Sequence, residues 1–310
     1  MTQVSWGYFL FSSGFILFSC VVVFASPSVS IGAGATPSVE SVFISNSSFG
    51  QSDDYSGGTI NDLTAGGTTD VYVNGTVEDL DGNEDIESVK LVFRRSGVAL
   101  GNSCTQDGND CYRMDACTLQ NNGDGNQKDY DCAIALKYWA DATDTGGRYP
   151  DEDWVAEVTV SDGTLSTLNN TVTKEMGTLL ALDIPTVLNL GSFLPGAISD
   201  SPTNAEQSIG QHGNDEADLE VSMDDAELVC DQNGVISRES IEWALTDVSH
   251  GDAASTPLAA TATDTNLHVA YRDSEGANAT KTLYWNIAVP FSGIEGVCTS
   301  TNTVMTAVSH

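Results

Sequence analysis

The chain has 310 residues, with 44 acidic side chains against 11 basic ones and a formal net charge of −33. The charge is spread evenly: residues 36–176 carry a net −17 and residues 177–310 a net −16. Such a field repels nucleic acid and anionic membrane surfaces and favours solvated cations, which excludes DNA or RNA binding as the function.

Asp outnumbers Glu by 29 to 15. Short carboxylates hold much water for their size, and dissolved salt screens their mutual repulsion, so the balance suits a halophilic setting.

In chain order, the first feature is the apolar run at residues 6–25, interrupted only by small residues such as Ser12, Ser13, Gly14 and Ser19. About 20 such residues suffice to cross a bilayer, and no charged side chain precedes Glu40. The segment reads as a signal peptide or membrane anchor that places the rest of the chain outside the cell. Ala33-Gly34-Ala35 offers a small-x-small cleavage site, but no Lys or Arg stands ahead of the apolar run. Cleavage after Ala35 and retention as an anchor therefore both stay open. Residues 26–38 are rich in Ser, Pro, Gly and Ala and read as a linker. Residues 1–35 thus form the export segment with its linker, and the remainder has room for two domains, 36–176 and 177–310.

Beyond the linker the pattern is one strand after another. Val71, Val73 and Val77 alternate with Tyr72, Asn74 and Thr76, and Val89, Leu91 and Phe93 alternate with Lys90, Val92 and Arg94. The same period of two recurs at Cys132, Ile134, Leu136 and Tyr138, and at Trp154, Ala156, Val158 and Val160 ahead of the turn Ser161-Asp162-Gly163. In the second half it returns at Leu219, Val221 and Met223, at Ile241, Trp243 and Leu245, at Leu267, Val269 and Tyr271, and at Leu283, Trp285, Ile287 and Val289. Alternation with one apolar face, broken by Gly, Asn and Asp clusters, predicts an all-β fold of two tandem antiparallel β-sandwiches. A short helix has a place only near residues 238–240. The first run of strands ends near residues 174–178.

Six cysteines lie beyond the export segment, four in the first half and two in the second. An even number per half in an exported chain reads as disulfides. Cys230 and Cys298 have only each other in their half. Four cysteines allow three pairings; Cys104 and Cys111 flank Asp107-Gly108 symmetrically, and Cys117 and Cys132 flank Asp124-Gly125, which favours sequential bridges across two hairpins. No CxxC spacing or nearby histidine supports zinc as the rival.

Asp79, Asp81, Asn83, Asp85 and Glu87 place oxygen ligands at every second position across a glycine-containing turn, a supply suited to calcium. Asn122, Asp124, Asn126, Asp129 and Asp131 form a second cluster of similar character. Neither fits an EF-hand loop, and Asp-Gly turns are also what any acidic sandwich uses. Asn46, Asn74, Asn169 and Asn278 open acceptor patterns for N-linked sugar, with Asn74 on the expected outward face of its strand. His212, His250, His268 and His310 are scattered without paired spacing and read as surface residues. No HExxH, GxSxG, phosphate-cradling loop or Cys near His is present, so an enzyme is not expected. Among the aromatics, Trp154, Trp243 and Trp285 fall in the inward register of their strands. Trp139 and Tyr284 fall in the outward register and are the candidates for a sugar-stacking surface.

Longer motifs carry two resemblances. Val77-Glu78-Asp79-Leu80-Asp81-Gly82-Asn83-Glu84-Asp85-Ile86, leading into Val89-Lys90-Leu91, and the stretch from Trp154 through Ser161-Asp162-Gly163 resemble immunoglobulin-like modules of the polycystic-kidney-disease and cadherin-like types, over residues 39–173. Leu190-Gly191-Ser192-Phe193-Leu194-Pro195-Gly196, Trp285-Asn286-Ile287-Ala288-Val289-Pro290, Gly296-Val297-Cys298-Thr299 and Thr303-Val304-Met305-Thr306-Ala307 are similar to the β-sandwich of camelysin and biofilm-matrix fibre proteins. Cys298 stands where that family tends to have an aromatic residue. The resemblance implies a structural role without catalytic residues.

The sequence therefore points to a non-catalytic cell-surface or secreted structural or adhesive protein, whose partners are copies of itself or other surface proteins. Two alternatives accompany that reading. One is a filament subunit, in which residues 36–45, ending in Val42-Phe43-Ile44, add as a strand to a neighbour's sheet edge. The other is a carbohydrate-binding or enzyme-accessory module.

Overall fold

The computed structural model describes residues 34–55, 57–99 and 104–309. The apolar run at 6–25, Ala33 of the cleavage motif and His310 lie outside them. The described chain is all-β, and residues Thr36–His310 gather into one compact unit with two separate hydrophobic cores.

Ten strands surround the first core: β1 Ser38–Val39, β2 Phe43–Ser45, β3 Thr59–Ile60, β4 Thr68–Glu78, β5 Ser88–Arg95, β6 Cys111–Met114, β7 Thr118–Asn121, β8 Gln127–Lys137, β9 Trp154–Ser161 and β10 Ser166–Met176. One sheet has the order β1-β4-β8-β7, with β2 also on β4, and the other has the order β3-β10-β9-β5-β6. All these ladders are antiparallel except β3 on β10. The alternation sorts side chains as expected. Val71, Val73 and Val77 of β4 and Ile134 and Leu136 of β8 face Val89, Leu91 and Phe93 of β5 and Ala156, Val158 and Val160 of β9 across a closed interior. Trp154 is fully buried, 5.1 Å from Phe93 and 5.8 Å from Tyr112 between ring centroids, and its indole N–H donates to the Asp141 carbonyl at 2.9 Å. A large ring with a satisfied polar atom is how such a core is filled without a buried, unpaired donor.

The segment expected to be a free donor strand is occupied at home. Residues 38–39 pair with Val77 and Glu78, and residues 43–45 pair with Tyr72, Val73 and Asn74, all on β4, with Ile44 fully buried. Between the two ladders the chain bulges over Gly75, where an added Cβ would lie 2.1 Å from the Ser41 carbonyl oxygen. Only a residue without a side chain admits that close approach.

Asn74 also departs from expectation. Its strand alternates as read, but residues 45–51 fold over the outer face and leave it with no exposed surface. Its side chain donates to Ser45 Oγ at 2.8 Å and accepts from the Gln51 amide at 3.0 Å. A side chain so enclosed has no room for a glycan, which removes Asn74 from the acceptor sites.

Eleven strands build the second core: β11 Leu182–Asp183, β12 Ala205–Gln211, β13 Ala217–Met223, β14 Glu227–Cys230, β15 Val235–Ser237, β16 Ile241–Ala244, β17 Thr256–Pro257, β18 Thr263–Asp264, β19 Thr280–Ile287, β20 Cys298–Thr299 and β21 Thr303–Ser309. A five-stranded sheet, β11-β12-β19-β16-β17, joins two three-stranded ones, β18-β13-β21 and β15-β14-β20. Leu219, Val221 and Met223 pack with Ile241, Trp243, Leu283, Trp285 and Ile287. Trp243 and Trp285 are directly opposite on neighbouring strands, and the Trp285 indole donates to Gln207 at 3.0 Å. One 3-10 turn, Arg238–Ser240, stands where the sequence leaves room for a helix, and another, Asn83–Asp85, falls in the first half where no helical period is read.

Two expected strand positions are corrected. Leu267, Val269 and Tyr271 form no ladder strand: Asn266 and His268 take φ values of +53° and +49°, and only an isolated bridge joins Val269 to Ala217. Left-handed residues break the pleat, yet Leu267 and Val269 remain buried, so the apolar alternation survives in an irregular segment. Leu245 is 43% exposed, because β16 ends one residue earlier.

Three disulfides brace the described chain: Cys104–Cys111, Cys117–Cys132 and Cys230–Cys298. The second extends the β7·β8 register by one position, and the third links directly opposed residues of β14 and β20.

Candidate functional site

The best-built polar constellation lies where the two cores meet. β8 ends at Lys137, and a turn closed by the Ala140 N–H on the Lys137 carbonyl, at 3.0 Å, redirects the next residues. Tyr138 and Trp139 therefore leave the strand register and are buried, 3% and 5% exposed, against Arg272, Asn278 and His212 of the second half. This corrects the expectation that Trp139 is an outward-facing platform: the strand that would have turned it outward has already stopped.

Tyr138 Oη donates to Asn278 Oδ1 at 2.5 Å, and Arg272 Nη1 donates to the same oxygen at 2.9 Å. The Arg272 guanidinium covers the Trp139 ring at 3.7 Å from its centroid, with the Tyr138 ring edge-on to Trp139 at 4.8 Å. A second stack of the same kind puts the Arg148 guanidinium 3.4 Å from the Tyr271 centroid. The Arg272 stack, largely shielded from water, is worth about 2 kcal/mol, and the Arg148 stack, whose guanidinium side chain is exposed, about 0.5–1 kcal/mol. Asn214 completes the joint. Its amide nitrogen donates to the Ala140 and Gly177 carbonyls, both at 2.9 Å, and its oxygen accepts from Leu179 N–H at 2.6 Å. The Gly66 N–H reaches the His212 carbonyl at 3.0 Å.

Behind the joint lies a half-buried ion cluster around the buried Asp141. Arg95 contacts Asp141 at 2.9 Å and Glu152 at 2.6 Å, with Asp110 at 3.8 Å, and its guanidinium stacks on Tyr149 at 3.6 Å. Burial pushes the Asp141 carboxyl up to about 6 against the opposing pull of Arg95 and Arg148. Burial, with Asp107 nearby, also raises Asp110. For Arg95 burial works the other way, but Asp141 and Glu152 outweigh it and hold the guanidinium above its ordinary range. On the outer face of the same sheet, Arg94 and Glu157 form a buried pair at 2.7 Å.

The two acidic clusters read as calcium candidates meet at one corner. The Asp79 N–H donates to the Asn126 carbonyl at 2.9 Å, and the Asn83 amide group donates to the Asp124 carbonyl at 2.7 Å and the Gln127 carbonyl at 3.2 Å. Asp79 and Asn83 are buried, whereas Asp81, Asp85 and Glu87 are exposed. Among the described residues, no three His, Cys, Asp or Glu side chains converge to hold a metal ion. Asp79 Oδ1 takes the Asp81 N–H at 2.9 Å, and Asp79 Oδ2 is buried without a hydrogen bond. In the second cluster Asn122 and Asp124 close the turn on themselves, and Asp131 binds Ser48 and Phe49 at 2.7 and 3.0 Å.

The remaining candidates are dispersed. Tyr284 is half-buried on β19, opposite Glu206 of β12 and Ala244 of β16. Asn46 is exposed, Asn169 bonds the Thr171 N–H at 3.1 Å, and Asn278 is engaged in the joint. His212 borders the joint, 5.7 Å from the Tyr138 ring. His250 lies 3.7 Å from the buried Glu242, and His268 Nδ1 lies 3.3 Å from the buried Asp218. A shallow hollow of about 330 Å³ over β5 and β9, lined by Lys90, Arg113, Glu157 and Thr159 among others, contains no His or Cys.

Sequence reasoning missed the joint residues Arg148, Arg272, Asn214 and Tyr271. A signal was present, because basic residues are scarce enough, at 11 in 310, for each to be worth asking about. Arg94, Arg95, Arg148 and Arg272 are all spent on internal contacts.

No family model matches the chain, and no curated protein does, so neither resemblance read from the sequence has a family match behind it. Among solved structures, the chain is similar to the C-terminal domain of the Streptococcus agalactiae AgI/II polypeptide BspA, at 10% identity, covering 80% of this chain and 91% of that one with a TM-score of 0.20. A likeness at that score carries no shared ligand or activity across.

Proposed function

We propose that the protein is a non-catalytic structural or adhesive module of the cell surface or the extracellular space, and that its work is mechanical. The observation that carries this reading is the joint. Two β-sandwich cores locked by Tyr138, Trp139, Asn214, Arg272 and Asn278 transmit force as one body, where a flexible linker would let them swing. Three disulfides fit an oxidising compartment and tie down the sheets. The exposed carboxylates hold water and keep neighbouring copies apart at low salt. Fractionation of the native host, with a deletion strain scored for attachment to surfaces and to other cells, tests this. The protein is expected in the outer or secreted fraction with its six body cysteines oxidised, and attachment is expected to fall in the deletion strain. Recovery from the cytosol with free thiols sinks the reading.

A calcium ion at the acidic corner has one observation in its favour, the buried, unpaired Asp79 Oδ2. There Asp79 would hold the ion, together with main-chain carbonyls, and the ion would stiffen the corner. Calcium should then raise the melting temperature more than magnesium at equal ionic strength, and Asp79→Asn should abolish the difference. Equal effects of the two ions on the unaltered protein dismiss the site.

A further inference from the structure

The edge strands of the described sheets are mostly guarded, although β10 also leaves residues 166–174 without a strand on one side. The edge strands β1, β2, β3, β6, β7, β11, β15, β17, β18 and β20 are two to four residues long. Some carry a further guard, such as Asp183 on β11, Pro257 on β17 and Asp264 on β18. Short, charged and proline-bearing edges are the means by which sheets avoid joining one another. β21 has none of these devices. It is seven residues long, Thr303–Ser309, and pairs on one side with β13. It closes a stretch, residues 296–309, without a single charge in a chain of net −33.

Its hydrogen-bonding polarity is set by its neighbour. Ala217 of β13 exchanges bonds with Val269, the Leu219 carbonyl accepts from Thr265 at 2.9 Å, and the Met223 N–H donates to Ala259 at 2.9 Å, all on the side away from β21. In an antiparallel ladder these directions alternate. The even-numbered residues of β13 therefore face β21, and Val304, Thr306 and Val308 hold that ladder. The N–H and C=O groups of Thr303, Met305, Ala307 and Ser309 point to the open side, where none of them bonds another main-chain group of the described residues.

We propose that this edge pairs antiparallel with β21 of a second copy, about a two-fold axis at Thr306, so that one six-stranded sheet runs through both molecules. This register uses all four open residues, Thr303 opposite Ser309 and Met305 opposite Ala307. The strand is its own complement in it: hydroxyl meets hydroxyl at 303 and 309, valine meets valine at 304 and 308, and threonine meets threonine at 306. Such cross-strand pairs are the favourable ones, and a two-fold contact requires a surface that matches itself. The absence of charge lets two strongly acidic molecules meet here without opposing carboxylates, and added salt strengthens the contact by screening the rest of the surface. The inference goes beyond the surface-module reading: a monomer leaves that reading standing, and a cytosolic dimer leaves this one standing.

Sedimentation of the purified exported protein over a concentration series, with cysteine variants oxidised in parallel, tests it. A concentration-dependent dimer is expected, tighter at high salt. Thr306→Lys sets two like charges on the axis and should weaken the dimer at least tenfold while the exposed site leaves the fold intact. Thr306→Cys should form an intermolecular disulfide, because non-hydrogen-bonded antiparallel pairs bring Cβ atoms to about 4.5–5.5 Å. Val304→Cys alone should not, and should cross-link only when mixed with Val308→Cys. A monomer at every concentration with no cross-link at 306, a dimer indifferent to Thr306→Lys, or equal cross-linking of the 304 and 306 variants overturns the proposal.

Discussion

Asp141 sits where burial and charge pull in opposite directions, and burial wins. Its carboxyl is raised from an ordinary 3.8 to about 6 despite the contact with Arg95. The native state therefore binds this proton more tightly than the unfolded chain does. The resulting stabilisation is fully present below the ordinary value and is lost as pH rises through 6. Between pH 7 and pH 5 the unaltered protein should gain about 1 kcal/mol relative to Asp141→Asn, which has no proton to bind. Urea denaturation of both proteins at the two pH values measures the difference, and an unchanged gap contradicts it. Gly75 makes a steric counterpart. With the Ser41 carbonyl 2.1 Å from the place of an added Cβ, Gly75→Ala should cost about 1–3 kcal/mol by forcing β1 and β2 off β4. Gly125→Ala, which meets nothing within 4 Å, should be close to neutral in the same assay.

Between elements, the disulfides differ mainly in the length of chain they close. Cys230–Cys298 closes a separation of 68 residues and Cys104–Cys111 one of 7. Loop-closure entropy assigns these about 4 and about 2 kcal/mol. Replacing the long-loop pair by serine should lower the urea midpoint clearly more than replacing the short-loop pair, and equal shifts would falsify an entropic origin. The sequential pairings are legible in the sequence from the turn residues at their midpoints, but only Cys117–Cys132 spans a hairpin, since Cys104 lies in an irregular segment ahead of β6. The strands of the first core are legible for a related reason: a period of two with one apolar face survives whatever the loops do. Asn74 shows the limit. Its register is legible, but the chain that covers its face comes from residues 45–51, a tertiary fact that no local pattern contains. His268 and Asn266 show another limit, since a positive φ at two ordinary residues leaves the apolar alternation in place while removing the strand. For Trp139 the period simply outruns the strand, which ends at Lys137. The joint is illegible because its members are spread from residue 138 to residue 278 and become neighbours only when both cores have formed.

At the scale of the whole molecule, the two halves repel each other, one at −17 and the other at −16, and yet share one compact unit. What opposes the repulsion is short-ranged and little affected by salt: two guanidinium stacks, a tyrosine–asparagine bond and an asparagine that bonds to both sides. Salt therefore weakens the repulsion while leaving the attraction almost unchanged. The unaltered protein should melt in a single calorimetric transition, since each core is held by the other. Arg148→Ala combined with Arg272→Ala removes both stacks and should split the melt in two, one transition for each core. The split should be widest at low salt and narrow as salt is added, because screening restores part of the lost coupling. A double variant that still melts once at low salt would mean that the joint positions the cores without coupling them, and the mechanical reading of the molecule would lose its main support.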